Sequence, residues 1–369
     1  MTIERGPDAG LTVAVTGAAG LIGRRLVELL LDDPDVARVV AIDVTDPDGE
    51  PVAARLERRR GDVRDPAIGA SFVGADVVVH LAFVLDPSRD EATMHAVNVG
   101  GTRTVLQAAR DAGVRKVVYV SSAVVYGAHP DNPLPITEDQ PLRPNTPFNY
   151  AEHKAEIERW LWPWAAQQDD MVVTVLRPSI VAGPGVSNFI SRQLDAPRFN
   201  AIRGHKPPIQ FVHVDDVASA LVHTVHHDLP GPYNVSSVGW LSFDEVTAIA
   251  GRKVLEVPEE LAFTLAARLW KLGLGEAPAG QVPYLMHPWV VGVDALVATG
   301  WRPARSNRDA LAEMAAEHAD ELVLGPLHLR RSRVRAVAAV TGLAAATTLA
   351  TVAHRRFWGR RRRVAAEGA

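Results

Sequence analysis

Along the first 180 residues, short runs that are apolar throughout alternate with longer stretches in which apolar positions recur every three to four residues. The runs "TVAVT" (12–16), "RVVAI" (38–42), residues 57–60, "DVVVHLA" (76–82), "KVVYVSS" (116–122) and "MVVTVLR" (171–177) read as strands. Helices are predicted over about 21–31, 89–112 and 149–167. Strands with no polar face, separated by helices, imply a parallel sheet covered on both sides. Right-handed crossovers then give an α/β, doubly wound sheet.

After Pro178 the pattern loosens. Gly, Pro and Asn become frequent, and shorter helices are predicted over about 215–227, 242–250 and 258–272. The expected organisation is a doubly wound domain over 1–177, a smaller lobe over 178–325 partly interleaved with the sheet, and a separate tail over 326–369. Gly325-Pro326 breaks the chain before that tail.

The tail changes the charge picture. The net charge is −4, but residues 327–369 hold ten Arg and one Glu, so the tail carries +9 and the rest −13. An acidic body does not suggest a nucleic-acid enzyme; a basic tail suggests a partner of its own. Residues 336–353, "AVAAVTGLAAATTLATVA", are 18 uncharged residues between Arg clusters. As a helix they would reach about 27 Å, close to the roughly 30 Å hydrocarbon core of a bilayer. A tail helix that spans a membrane, one that lies on an anionic surface, and one that stays in water all remain open. The amino terminus is acidic and runs straight into a strand, unlike a signal peptide, so a cytoplasmic protein is expected, with the tail as a candidate membrane attachment. There are no cysteines, which excludes disulfides, thiolate chemistry and Cys-based zinc sites.

"VTGAAGLIGRRL" follows the first strand and opens the first helix. Gly17, Gly20 and Gly23 let the backbone approach a pyrophosphate, which would sit on the N–H groups at the helix start, around Leu21 and Ile22. Asp43 ends the second strand, 20 residues beyond Gly23. A carboxylate there accepts the ribose hydroxyls of an adenosine and repels the 2′-phosphate of NADP, and the next residue, Val44, brings no positive charge. The expected cofactor is therefore NAD. Asp62 in "GDVRD" can accept from an adenine amino group or cap the next short helix. Tyr150 and Lys154 in "NYAEHKAE" lie one helical turn apart on one face, a spacing that alone does not separate a surface pair from a reactive one.

Taken together, "TGAAGLIG", "GDVRD", "VVHLAF", "NVGGT", "YVSSAVVYG", "YAEHK", "LRPSIVAGPG", "FVHVDDVASAL" and "YNVSS" resemble, in order, the extended short-chain dehydrogenase/reductase family, its NAD-dependent epimerase/dehydratase group. The resemblance covers about 11–237 and implies a Rossmann fold. It places Val63, Leu81, Ala82, Phe83 and Pro178 close to the cofactor and Asn98 beneath it. It makes Ser122 the hydroxyl that holds the substrate oxygen, and Tyr150 and Lys154 the catalytic pair. Free tyrosine, at a pKa of about 10, is too weak a base at neutral pH, and Lys154 would lower it. The implied activity is NAD(H)-dependent hydride transfer at a secondary alcohol or ketone of a small molecule. A nucleotide-sugar 4-epimerase is the alternative within enzymes, and a non-catalytic NAD-binding regulator is the alternative outside them. Family members often dimerise through helices matching 89–112 and 149–167, so a homodimer is a further expectation.

Three departures narrow the reading. Family dehydratases carry acidic residues after the catalytic hydroxyl, where this chain has Ala123 and Val124. Many nucleotide-sugar epimerases have an Asn where Ile180 stands, and "LRPSIVAGPG" looks closer to members acting on apolar alcohols, such as the 3β-hydroxysteroid dehydrogenase type. His153 stands where Ser or Thr often precedes the Lys and is expected to be a solvated helix residue. No metal site is expected: in His213-Val214-Asp215-Asp216 an Asp is expected to cap the following helix. Trp160, Trp162 and Trp164 are expected at the sheet edge or a subunit interface.

Overall fold

The computed structural model describes residues 10–45, 54–86, 88–186, 198–251, 253–275, 278–318, 321–324 and 327–330. The chain divides into two compact units, 1–315 and 316–369.

The larger unit begins with β1 (Leu11–Thr16), α1 (Leu21–Asp32), β2 (Val36–Asp43), β3 (Leu56–Arg60) and β4 (Val77–His80). Next come α2 (Glu91–His95), a π-helical turn (Ala96–Gly100), α3 (Gly101–Asp111), β5 (Lys116–Val120), α4 (Asn149–Ala165) and β6 (Val172–Pro178). The strand later in the chain over Gly231–Val235 joins the same sheet, which has seven parallel strands in the order Gly231–Val235, β6, β5, β4, β1, β2, β3. Two apolar layers explain why its strands lack a polar face. Leu26 and Leu30 of α1 pack on Val13, Val15 and Val79 on one side. Val105 and Leu106 of α3 and Ile157 and Leu161 of α4 pack on Val78, Val117 and Tyr119 on the other. β3, "LERRR", is the exception because it is an edge strand whose charged side chains reach water. Trp160, Trp162 and Trp164 lie against the α3/α4 layer, with Trp160 and Trp164 stacked at 5.6 Å.

The expected helix over 89–112 is α2, the π turn and α3 in succession, so its register shifts at Asn98. Single π turns of this kind often accompany functional positions.

Beyond Pro178 the unit continues with β7 (Ile180–Ala182), β8 (Arg198–Ile202), β9 (Phe211–His213), α5 (Val214–His226), β10 (Gly231–Val235), α6 (Phe243–Ala250), β11 (Lys253–Val257) and α7 (Glu259–Leu272). It closes with α8 (Asp294–Ala298) and α9 (Asn307–His318). β7 pairs with β9 and β8 with β11, both in parallel. A third apolar cluster forms here, with Ile180, Phe199, Phe211, Leu241 and Leu311. Because β10 is hydrogen-bonded to β6, the lobe is threaded through the main sheet.

In the smaller unit, β12 (Glu321–Leu324) pairs antiparallel with β13 (Leu327–Arg330). The uncharged run 336–353 lies outside the described residues. Among the described residues no helix is long and apolar enough to cross a membrane.

Candidate active site

The carboxyl ends of β1, β2, β4, β5 and β6 converge on one edge of the sheet, where ligands bind in doubly wound folds. Chain crossing is tight at the glycine loop. Gly17 has φ +74°, and a Cβ there would stand 2.6 Å from the Ala82 nitrogen. A Cβ on Gly23 would stand 2.2 Å from the Gly17 carbonyl oxygen. Any side chain at either position would push the loop off β4 or off α1. Gly20 is the N-cap of α1 and offers no side-chain hydrogen bond, and the first turn carries no acidic residue. The first-turn N–H groups, from Leu21 to Gly23, are thereby left to an anion.

Asp43 reaches across this loop. One carboxylate oxygen accepts from the Ala19 N–H at 3.0 Å, and the other accepts from the Thr45 N–H and hydroxyl at 3.1 and 3.0 Å. A cleft of about 570 Å³ opens here, lined by Gly17, Gly20, Asp43, Asp62, Val63, Leu81, Ala82 and Phe83 among others. Asp62 is held by the fork of Arg64, whose Nε and Nη2 donate at 3.0 and 2.5 Å, and this keeps its carboxyl below the usual range. Ile22 packs inward on the core under α1, and Leu21 faces Gly185. Pro178 is buried at the end of β6 opposite Val235.

The segment leaving β4 is fixed from below. Asn98, fully buried in the π turn, accepts from the Val84 N–H at 2.7 Å and donates to the Val84 carbonyl at 3.1 Å. His153 backs it: Nδ1 lies 3.4 Å from the Asn98 amide nitrogen and Nε2 lies 2.8 Å from Glu91. The expectation of a solvated His153 is therefore corrected. It is 2% exposed, because it points from α4 toward α2, and burial lowers its pKa.

Ser122 lies just past β5 and caps a 3₁₀ turn over Ala123–Tyr126, with its Oγ accepting from the Val124 N–H at 3.2 Å. Its hydroxyl lies near enough to Tyr150, in the first turn of α4, to favour the phenolate. Burial pushes the Tyr150 phenol up to about 12, against the Ser122 hydroxyl, which lowers it. Lys154 sits one turn on. Its ammonium donates to the Val120 carbonyl at 2.6 Å and lies 3.5 Å from the centre of the Phe83 ring. Burial holds the Lys154 pKa well below its ordinary value, with Glu158 opposing. The structure thus brings Ser122, Tyr150, Lys154 and Phe83 together. In it, burial outweighs the expected lowering of the phenol pKa.

Sequence reading missed three groups beneath this triad. Glu158, one turn after Lys154, is fully buried and accepts from Arg177 Nε at 3.1 Å and from the Ser121 hydroxyl at 2.5 Å. Arg177 in turn donates to the Tyr126 hydroxyl at 2.6 Å, which donates to Asn234 at 2.9 Å. His80 is buried between the Thr16 and Thr102 hydroxyls, at 2.7 and 2.9 Å, and burial takes its pKa to about 3, so it is neutral. The i, i+4 spacing of Lys154 and Glu158 was the one available signal.

His213 itself caps α5, through Nδ1 and the Asp215 N–H at 3.1 Å, which corrects the expectation of an Asp cap. Asp216 instead accepts from the Ala304 and Arg305 N–H groups, and Asp215 pairs with Arg25. Among the described residues no His/Asp/Glu group has the spacing to hold a metal ion.

The NAD dependent epimerase/dehydratase family matches residues 13–236, more than half of the chain. The chain belongs to this family. A relative of undetermined role in Mycobacterium tuberculosis is 27% identical over 339 residues, spanning 90% of both chains. The dTDP-glucose 4,6-dehydratase of Streptomyces griseus is 35% identical over 229 residues, 55% of this chain and 66% of that one. Among solved structures, MoeE5 in complex with UDP-glucuronic acid and NAD is 27% identical, with a TM-score of 0.65 over 84% of this chain and 98% of that one. Membership is consistent with the loop: the close approaches at Gly17 and Gly23 and the uncapped start of α1 leave the backbone open to a dinucleotide pyrophosphate.

Proposed function

We propose that this family member moves a hydride between NAD and the carbinol carbon of a secondary alcohol or ketone. The observation that carries this reading is the grouping of Ser122 at the end of β5, Tyr150 in the first turn of α4 and Lys154 one turn on, with Phe83 of the cofactor cleft edge-on to Tyr150 at 5.6 Å and its ring centre 3.5 Å from the Lys154 ammonium. Bound NAD supplies the two-electron acceptor or donor. Tyr150 takes the hydroxyl proton as the alcohol is oxidised and returns it as the ketone is reduced. Ser122 holds the oxygen. Lys154 stands one turn away, held by the Val120 carbonyl, and the first turn of α1 with Gly17 and Asp43 would hold the dinucleotide. Elimination of water finds no acid–base pair at Ala123 and Val124, both buried and apolar. A nucleotide-sugar 4-epimerase is the second reading, supported by relatives such as MoeE5. The purified protein with NAD and a panel of secondary alcohols should form NADH. Intact NAD binding with no turnover in either direction would favour the regulator instead.

Asp43 should make NAD(H) bind at least tenfold more tightly than NADP(H), about 1.4 kcal/mol. Asp43→Ala should narrow that gap in fluorescence titrations with NADH and NADPH; equal affinities in the parent protein would remove the claim.

We infer also that the tail carries the protein to membranes, since 336–353 is uncharged between Arg clusters. The full chain should sediment in part with membranes, and a chain ending at Gly325 should not. Release by high salt would indicate surface attachment, and retention until detergent a span. Full-length protein recovered wholly in the soluble fraction at low salt would defeat both.

A further inference from the structure

α7 is joined to the lobe by one narrow face. Ala262, Phe263 and Ala266 lie against Ile202, Val282 and Met286. Arg89 holds the far end of the helix. Its guanidinium stands 4.7 Å from the centre of the Trp270 ring and donates to the Trp270 and Gly275 carbonyls at 3.1 Å. No residue of α7 is buried, so its other apolar positions meet water. Leu261, Leu265, Leu269, Leu272 and, just past the helix, Leu274 are 39–73% exposed. At 100° per residue the four helical leucines fall within about 80° of one another. They form a stripe along the length of the helix, beside the face that the lobe covers. A contiguous apolar row of this kind marks a contact surface.

The charges on the same helix say what fits the stripe. Glu259 and Glu260 occupy the first turn, and Arg268 and Lys271 stand near the end. Turning α7 end for end about a two-fold axis between residues 266 and 267 sets Leu261 opposite Leu272 of the other copy. The same rotation brings the acidic end of each helix to the basic end of the other, and the helix dipoles oppose. A parallel arrangement would bring acid to acid and base to base. An anionic bilayer fits less well, because Glu259 and Glu260 at the head of the stripe would be repelled by it.

We propose that α7 is a contact between two copies of this chain, an antiparallel pair joined through the leucine stripe. This face belongs to neither of the helices expected to dimerise over 89–112 and 149–167. The stretch that α7 packs on, Ala279–Leu285, carries Tyr284, whose hydroxyl donates to the Val124 carbonyl at 3.0 Å, two residues after Ser122. The pairing thus braces from outside a turn that reaches the candidate active site. A 14-residue helix is about 21 Å long. One such helix offers less than the roughly 800 Å² per partner of a standard interface, so the pairing is reversible and depends on concentration.

The chain has no cysteine, so single cysteines placed on the stripe report the pairing without interference. In the two-fold pair the two copies of residue 265 are offset along the axis by about 4.5 Å, and the two copies of residue 272 by about 16 Å. Full-length Leu265→Cys should therefore be joined into a dimer by bismaleimidoethane. Leu272→Cys alone should not be joined, but an equal mixture of Leu261→Cys and Leu272→Cys should be. Arg268→Glu with Lys271→Glu should weaken self-association about tenfold in sedimentation runs, as should Glu259→Lys with Glu260→Lys, and mixing these two variants should restore it. Cross-linking of Leu272→Cys as efficient as that of Leu265→Cys would overturn the antiparallel pair. A dimer that forms without any cross-link at residue 265 would use another face and overturn the assignment of α7. If Leu265→Ser with Leu269→Ser abolished binding to phosphatidylserine vesicles and left sedimentation unchanged, the stripe would be a membrane contact and the pairing would fall.

Discussion

Tyr150→Phe is expected to lower turnover by about 10²–10⁴-fold while NADH binds as it does to the parent protein. The substitution removes one oxygen and keeps the ring, which is packed between Phe83 and Phe148. Ser122 loses its phenol neighbour but keeps the Val124 N–H. The effect should therefore fall on kcat more than on NADH affinity. A pH profile adds the sign. With the phenol pushed up to about 12, it is protonated at neutral pH. It is then ready as an acid, so ketone reduction should be nearly flat between pH 6 and 9. Alcohol oxidation needs the phenolate, whose fraction rises about tenfold per pH unit below the pKa, so its rate should climb with pH. Bound NAD and a closer Lys154 would shift the profile toward lower pH without reversing it. Undiminished turnover by Tyr150→Phe would show that another group moves the proton.

Glu158→Ala is expected to destabilise the protein by about 3–5 kcal/mol. Glu158 and Arg177 are 0% and 3% exposed, and the change leaves the guanidinium buried without its counter-charge. It also strips the Ser121 hydroxyl of its acceptor and Lys154 of the carboxylate that opposes its loss of charge. Against total stabilities of about 5–15 kcal/mol this is a large fraction, readable as a drop in the urea midpoint. Glu158→Leu combined with Arg177→Met should recover much of the loss, because the unpaired charge is gone. A fall below about 1 kcal/mol in Glu158→Ala would mean that water or another acid reaches Arg177.

The chain pattern alone determined the alternation of strands and helices and the glycine loop, and the family resemblance pointed to Ser122, Tyr150 and Lys154. These are local or motif properties: a strand buried on both faces must be apolar throughout, and a helix starting on a pyrophosphate needs glycine at Gly17 and Gly23. β10 was legible only as the "YNVSS" motif, because "GPYNV" carries a Pro and an Asn. It becomes a sheet strand through β6, some 55 residues earlier in the chain. The buried state of His153, Glu158 and Arg177 was hidden for the same reason. Polar side chains read as surface until partners distant in sequence enclose them, as Asn98 and Glu91 enclose His153. The turn of Lys154 toward the Val120 carbonyl and the Phe83 ring also belongs to the tertiary structure. Helical spacing fixes which face a residue shares, but the groups opposite that face come from other strands and loops, and they decide where its charge resides.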